Sequence, residues 1–427
     1  AVAILGRVVA DDPGNEIAIE LLSRGSENAD EETASRSVEA LQQAIFANPT
    51  NISLIRLLAE VNANSGDLNS AAKLLRENAS KFAERDKYAA ASLHLKLGDL
   101  FALADQWDNS VLEYKAAFSR LQIENNQLIT QSDRDFAETI FEKLVRVYSD
   151  SDRPVEVKNT IEQARLLFGN DDVFPDLELI GFYREKGQTA DALREVRQTR
   201  MRFPTDYGLI KLEAEILTES GKVDEGVVLL RSLIEKKDGA TISKSALPYD
   251  EFMVNLVISN LYSHAKRGAQ AIAAANEALT LAEGNERKQI AKVTLATAYQ
   301  MSGNFKAAED TLREILKSAP SNPFALNNLG YFLLERNENV NEAFELIKKA
   351  VDVSPGNASF LDSLGWAYFK LNDLENSPTI FEHLGDVLEK RGNKPEAREN
   401  WKKALKLSKD HDEIARLKQK LGEKSTK

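Results

Sequence analysis

Four histidines, His94, His264, His383 and His411, are the residues best suited to moving protons near neutrality or ligating a metal. The closest two, His383 and His411, are 28 residues apart, and no i,i+4 pair or H-E-x-x-H run brings two ligands to one helix face. The chain has no cysteine, which removes thiolate metal sites, iron–sulfur clusters, disulfides and cysteine nucleophiles. It also lacks a G-x-G-x-x-G run, a P-loop and a G-x-S-x-G elbow. Paired acids such as Asp11-Asp12 and Asp171-Asp172 fall at expected turns and helix starts, where carboxylates cap free N–H groups and complement the helix dipole. General acid–base work would need those carboxylates in a pocket. The expectation is a non-enzymatic chain with no catalytic residue, no metal site and no cofactor.

Composition narrows the partners. The 427 residues are 43% hydrophobic and 29% charged, which suits a folded chain. A net charge of −12 opposes general nucleic-acid binding and docking on anionic lipid through a basic patch. No run approaches 18 apolar residues, so no direct membrane insertion by this segment is expected.

What remains must be positioned by repeated elements. Gly187 and Gly221 are 34 residues apart, and each separates two amphipathic stretches. Leu295-Ala296-x-x-Tyr299, Gly303, Ala308-x-x-x-Leu312-x-x-Ile315 and Pro320 restate the frame. So do Leu329-Gly330-x-x-Leu333 with Ala343-x-x-x-Ile347-x-x-Ala350 and Pro355, then Leu364-Gly365-x-x-Tyr368, then Leu384-Gly385-x-x-Leu388 with Ala397-x-x-x-Trp401-x-x-Ala404. Spacings of three, four and seven place these residues on one helical stripe. The small residue beside each leucine (Gly330, Gly365, Gly385, Ala296) lets two helices approach closely, and the prolines end the second helix of each pair.

This frame resembles the tetratricopeptide repeat, a 34-residue helix–turn–helix. The resemblance implies an all-α fold, a right-handed α-solenoid of stacked hairpins. Further repeats begin near Glu16, Ile52, Ala91, Glu138, Val173, Tyr207 and Phe252, about ten complete repeats in all. Longer connections interrupt them near Ser26–Thr33, Asn125–Asp135 and Lys236–Asp250. Four regions are therefore expected: 1–13 as a half repeat (second helix only), 16–240 as a degenerate array, 252–411 as a second array, and 412–427 as a capping helix and tail. The opening mid-repeat suggests that natural sequence, including any signal peptide or lipid anchor, precedes Ala1. Near 376/377 one first helix (Ala358–Leu371) runs almost directly into another (Pro378–Arg391), about 14 residues short of the period. Either the intervening second helix was deleted or a segment is missing from the sequence.

Repeats of this family bind peptide segments along the concave face lined by the first helices. The resemblance therefore implies a partner-binding face made of Phe324, Asn327, Tyr331, Leu334, Asp362, Trp366, Phe369 and Lys370. Phe332 and Tyr368 fall in core phase. Acid and aromatic residues stand where a clamp for a terminal carboxylate would need lysines. The asparagine ladder of glycosyltransferase repeats is replaced by Lys96, Lys143, Glu178, Leu212 and Val257. The run from Ala325 through Tyr368, with Glu382-His383-Leu384-Gly385, is similar to bacterial envelope repeat proteins, some of them outer-membrane lipoprotein adaptors. That resemblance implies a periplasmic or outer-membrane-associated scaffold, with a cytoplasmic location as the alternative. Two other roles remain open: a structural subunit of a larger complex, and the regulatory part of an enzyme whose catalytic domain lies upstream.

Overall fold

The computed structural model describes residues 31–123, 130–234, 250–371, 381, 394–408, 417–418 and 420–421. The expected half repeat at 1–13, the junction at 376/377, His383, His411 and all of the helix expected over Pro378–Arg391 except Phe381 lie outside the described residues, as does most of the expected cap at 412–427. Nineteen α-helices and no strand are defined among the described residues. The all-α class of stacked hairpins is what the structure shows.

Contacts group the chain into two compact units, 1–178 with 376–427 and 179–375. The first contains α1 (Glu31–Ala47), α2 (Ile52–Asn64), α3 (Leu68–Phe82), α4 (Lys87–Leu103), α5 (Trp107–Arg120), α6 (Gln131–Asp150) and α7 (Pro154–Phe168). The division falls within α8 (Phe174–Glu185). The second contains α9 (Thr189–Arg202), α10 (Tyr207–Glu219), α11 (Val223–Arg231), α12 (Glu251–His264), α13 (Gly268–Leu281), α14 (Gly284–Met301), α15 (Phe305–Ser318), α16 (Pro323–Glu335), α17 (Val340–Val353) and α18 (Ala358–Lys370). Helix α19 (Lys394–Leu407) belongs to the first unit, where Trp401 and Ala404 pack with Leu417 and Leu421.

One turn recurs in eight hairpins. Two positions beyond the last residue of each first helix stands one residue of positive φ: Gly66, Asp105, Asp152, Gly187, Gly221, Lys266, Gly303 or Asn337. The next N–H then bonds back five residues, as Asp67 to Asn62 O (2.9 Å), Lys222 to Leu217 O (2.8 Å) and Glu338 to Leu333 O (2.9 Å). That is the Schellman closure, which satisfies carbonyls left free at a helix end. Glycine adopts this conformation without cost; Asp105, Asp152, Lys266 and Asn337 do so without that freedom, which hides their turns from a glycine search. First helices are started by side chains. Asn51, Asp86, Asp206, Asp250, Asn322 and Asn357 accept N–H bonds of the first turn. At α6 a capping box between Thr130 and Asp133 starts the helix inside the expected 125–135 connection.

Packing follows the small residues. A Cβ on Gly330 would meet Ile347 Cγ1 at 2.6 Å and the Ala343 carbonyl oxygen at 2.7 Å, so α16 and α17 touch through this glycine. A Cβ on Gly226 would likewise meet the Ala214 carbonyl oxygen at 2.8 Å. Beyond consecutive helices, contact runs between alternate first helices: α2 with α4 and α4 with α6 in the first unit, and α10, α12, α14, α16 and α18 in series in the second. Alternate second helices make no comparable contact among the described residues. Each stack is therefore tighter on the side of its first helices, which form its inner face. In the second unit, Ile210, Val227 and Leu230, before 235–249, share a core with Val254, Ile258 and Leu261 after it. The compact units divide at 178/179.

Candidate functional site

On α16 the exposed stripe is Phe324, Tyr331 and Glu335, with Asn328 partly covered between them. Spacings of four, three and four keep these residues on one face. Phe324 is 56% exposed and Tyr331 37%, whereas Asn327 is 7% exposed and Leu334 is fully buried. Asn327 and Leu334 were expected on the binding face, and the structure corrects both. The free stripe is rotated by one residue, so that the flank carrying 327 and 334 is covered and Asn328 and Glu335 take the open places. Phe332 and Tyr368 are buried, in agreement with their helical phase.

On α18, Asp362 and Phe369 are exposed, and Trp366 and Lys370 are partly covered. These side chains form one cluster with α16. Trp366 stacks on Phe369 with centroids 5.0 Å apart and planes at 13°. Its indole Nε1–H donates to Glu335 Oε1 at 3.1 Å. Lys370 Nζ lies 4.8 Å from the Trp366 ring centroid and donates to Asn337 Oδ1 at 2.9 Å. Phe324 meets Phe360 edge-on at 5.5 Å. Burial, then the Glu335 and Asp362 carboxylates, push the ionisation of Tyr331 above that of an ordinary tyrosine. The expected residues Tyr331, Asp362, Trp366, Phe369 and Lys370 are thus brought together, and Glu335 joins them.

Residues 293–358, running from α14 to the first residue of α18, match the family described as tetratricopeptide repeat. This stretch of the chain carries tetratricopeptide repeats. A TPR repeat-containing protein of Pseudomonas aeruginosa is 39% identical over 69 residues, which is 16% of this chain and 12% of that protein. The match therefore spans about an eighth of that relative's length. Among solved structures, a human IFIT1 dimer with PPP-AAAA aligns over 96% of this chain and 95% of its own at 16% identity and a TM-score of 0.36. The Cut9–Hcn1 hetero-tetramer of APC/C aligns over 91% and 87% at 13% identity and 0.32. Likenesses this loose carry no argument about what this chain binds.

The repeats of the first unit present a different inner face. Lys96, one residue before the repeat leucine Leu97, donates to Glu60 of the preceding first helix at 2.7 Å. Lys143, one residue before Leu144, donates to Asp99 at 2.7 Å. The next member of the series is Glu178, pushed up by burial and by the neighbouring Glu142 carboxylate. Deeper in this unit, buried Glu113 accepts from Arg76 Nη2 at 2.5 Å and lies 2.7 Å from Nδ1 of buried His94. Asp172, read as a capping acid, accepts the Phe174 N–H at 2.9 Å and also pairs with Arg134. No group of three or more His, Asp or Glu side chains among the described residues is placed to hold a metal ion. No described helix is long and apolar enough to cross a membrane. Sequence reasoning missed Glu113 and Glu213. Glu213 offered a signal, since a charge occupies the repeat-leucine place held elsewhere by Leu58, Leu97, Leu329 and Leu364. The structure clamps it between Arg197 and Arg200.

Proposed function

We propose that this chain is a non-enzymatic scaffold that holds a partner polypeptide along the inner face of the second unit. The row of large apolar side chains exposed on successive first helices carries this reading: Met253 on α12, Ile290 and Met301 on α14, Phe324 and Tyr331 on α16, and Phe369 on α18. Exposed apolar side chains gathered on one face mark interaction sites, and methionine and aromatic residues are enriched there. A double variant, Tyr331→Ala with Trp366→Ala, should weaken capture of the native partner by tenfold or more, as expected when aromatic anchors are truncated. Unchanged capture would reject this face.

The similarity of the Ala325-to-Tyr368 run to envelope repeat proteins supports a place in the bacterial envelope, as an adaptor associated with the outer membrane. Fractionation of cells expressing the natural open reading frame tests it; recovery in the cytoplasm would overturn it. A second reading, a subunit built into a larger complex, is favoured by the outer surface of the first unit. There Leu112, Val155 and Leu166 are exposed, and a cleft of about 590 Å³ opens between α5 and α7 over Phe141, Leu144 and Tyr148. Native mass measurement of extracts distinguishes the two, because a free monomer argues against a built-in subunit.

A further inference from the structure

We propose that the α16–α18 face takes an arginine side chain of the partner polypeptide, seated on Tyr331 between the carboxylates of Glu335 and Asp362. This rests on the reading that the partner lies along this inner face and names the chemistry it presents.

Charge is the first argument. Among the described residues Asp362 is exposed and enters no ion pair, and Glu335 accepts only from neutral groups, the Trp366 indole and the Tyr331 hydroxyl. Among the described residues, the one cation within the cluster, Lys370, is already engaged by Asn337 and by the Trp366 ring. Two carboxylates therefore face the groove with their charge uncompensated. The ionisation of Tyr331 is raised first by burial and then by these two carboxylates. Shape is the second argument. Trp366 is stacked on Phe369, which leaves the half-exposed Tyr331 ring as the open aromatic surface beside both acids. A guanidinium stacks its plane on an aromatic ring while its edge donates to carboxylates, whereas a compact ammonium cannot do both.

The test uses the full chain and two probes, acetyl-Leu-Leu-Arg-Leu-Leu-amide and the same peptide with citrulline, which keeps the shape and loses the charge. Calorimetric titration should show the arginine peptide binding about tenfold tighter, as a charge-assisted contact over an aromatic ring predicts. Asp362→Asn and, separately, Glu335→Gln should each shrink that preference to about threefold or less. Asp310→Asn on the exposed side of α15 should leave it intact. Equal affinity for the two peptides, no binding of the arginine peptide, or a preference that survives both carboxylate variants would each overturn the assignment. If Tyr331→Ala with Trp366→Ala still blocks capture of the native partner while the peptides bind alike, the arginine assignment falls and the groove reading stands. If the aromatic variant captures normally, both fall.

Discussion

The first helices of the two units follow one plan, yet their inner faces differ in kind. On α4 and α6 of the first unit the residue before the repeat leucine is Lys96 and Lys143, and each lysine bonds an acid on the preceding first helix. In the second unit the same place holds Leu212, Val257, Thr294, Asn328 and Ser363. No such ladder can form there, and Tyr331 and Trp366 stand where Glu60 and Asp99 stand in the first. A face whose charges satisfy one another has little left to offer a ligand, because a partner must first displace pairs each worth up to about 1 kcal/mol. A face of aromatics beside uncompensated carboxylates gains by being covered. The repeat sets the spacing in both units, and the residues either side of one leucine decide whether a unit holds itself together or holds something else.

The largest expected effect sharpens this division of labour. Glu113→Ala should cost the first unit about 3–5 kcal/mol, because it strips the carboxylate from Arg76 and from buried His94. Hydrogen exchange in α3 to α5 reads this directly. Partner capture by the second unit should persist at a temperature where the first unit remains folded. A matching loss of capture would break the comparison, by showing that binding depends on the first unit's integrity.

The same carboxylate sets a pH dependence. Burial pushes the Glu113 carboxyl up, but hydrogen bonds from His94 and Arg76 outweigh it and hold the group below its ordinary value of 4.5. A folded-state value lower than the unfolded one gives stability that is present above about pH 4.5 and is lost as pH falls through the lower value. Exchange protection in α3 to α5 should therefore weaken below pH 4.5, and Glu113→Gln should remove that part of the acid response. In the second unit, the Arg313 guanidinium beside Glu342 also holds its carboxyl low. Both partners there are more than a third exposed, so solvent screening makes the acid response smaller. Equal weakening of both units would remove the distinction.

Much of this architecture was legible in residue spacing. The leucine, small-residue and tyrosine positions of α14 to α18 announce a hairpin stack, and Gly66, Gly187, Gly221 and Gly303 mark half of its turns. The other turns were hidden because Asp105, Asp152, Lys266 and Asn337 adopt the left-handed conformation without being glycine. The candidate site was legible in its aromatics and misread in two places, because a helix wheel fixes phase only to within a residue. That error is enough to bury Leu334 and expose Glu335. The lysines of the ladder were visible as an absence of asparagine; that they pair with Glu60 and Asp99 required knowing which helices are neighbours.

Two glycines at the same repeat place offer the finer tests. Gly330→Ala forces a methyl group against the Ala343 carbonyl and Ile347, and overpacking of this kind costs about 1–3 kcal/mol. Because α16 carries Tyr331 and Glu335, capture should weaken along with thermal stability. A variant that loses stability but keeps full capture would show that the binding face tolerates movement of its own helix.

The smallest effect belongs to Gly365, its counterpart on α18. Among the described residues, nothing lies within 4 Å of where a Cβ at Gly365 would sit. Among the described residues, then, no second helix packs on α18 as α17 packs on α16. With open space and helical backbone, Gly365→Ala should stabilise α18 by about 0.5–1 kcal/mol, since alanine loses less backbone freedom on folding than glycine does. The effect is small enough to need careful denaturant midpoints, but its sign is decisive. A gain means that α18 presents Trp366 and Phe369 from a helix free on that flank. A loss of 1 kcal/mol or more means that a helix packs against Gly365 as α17 packs against Gly330, and that the expected repeat pattern continues past Leu371 after all.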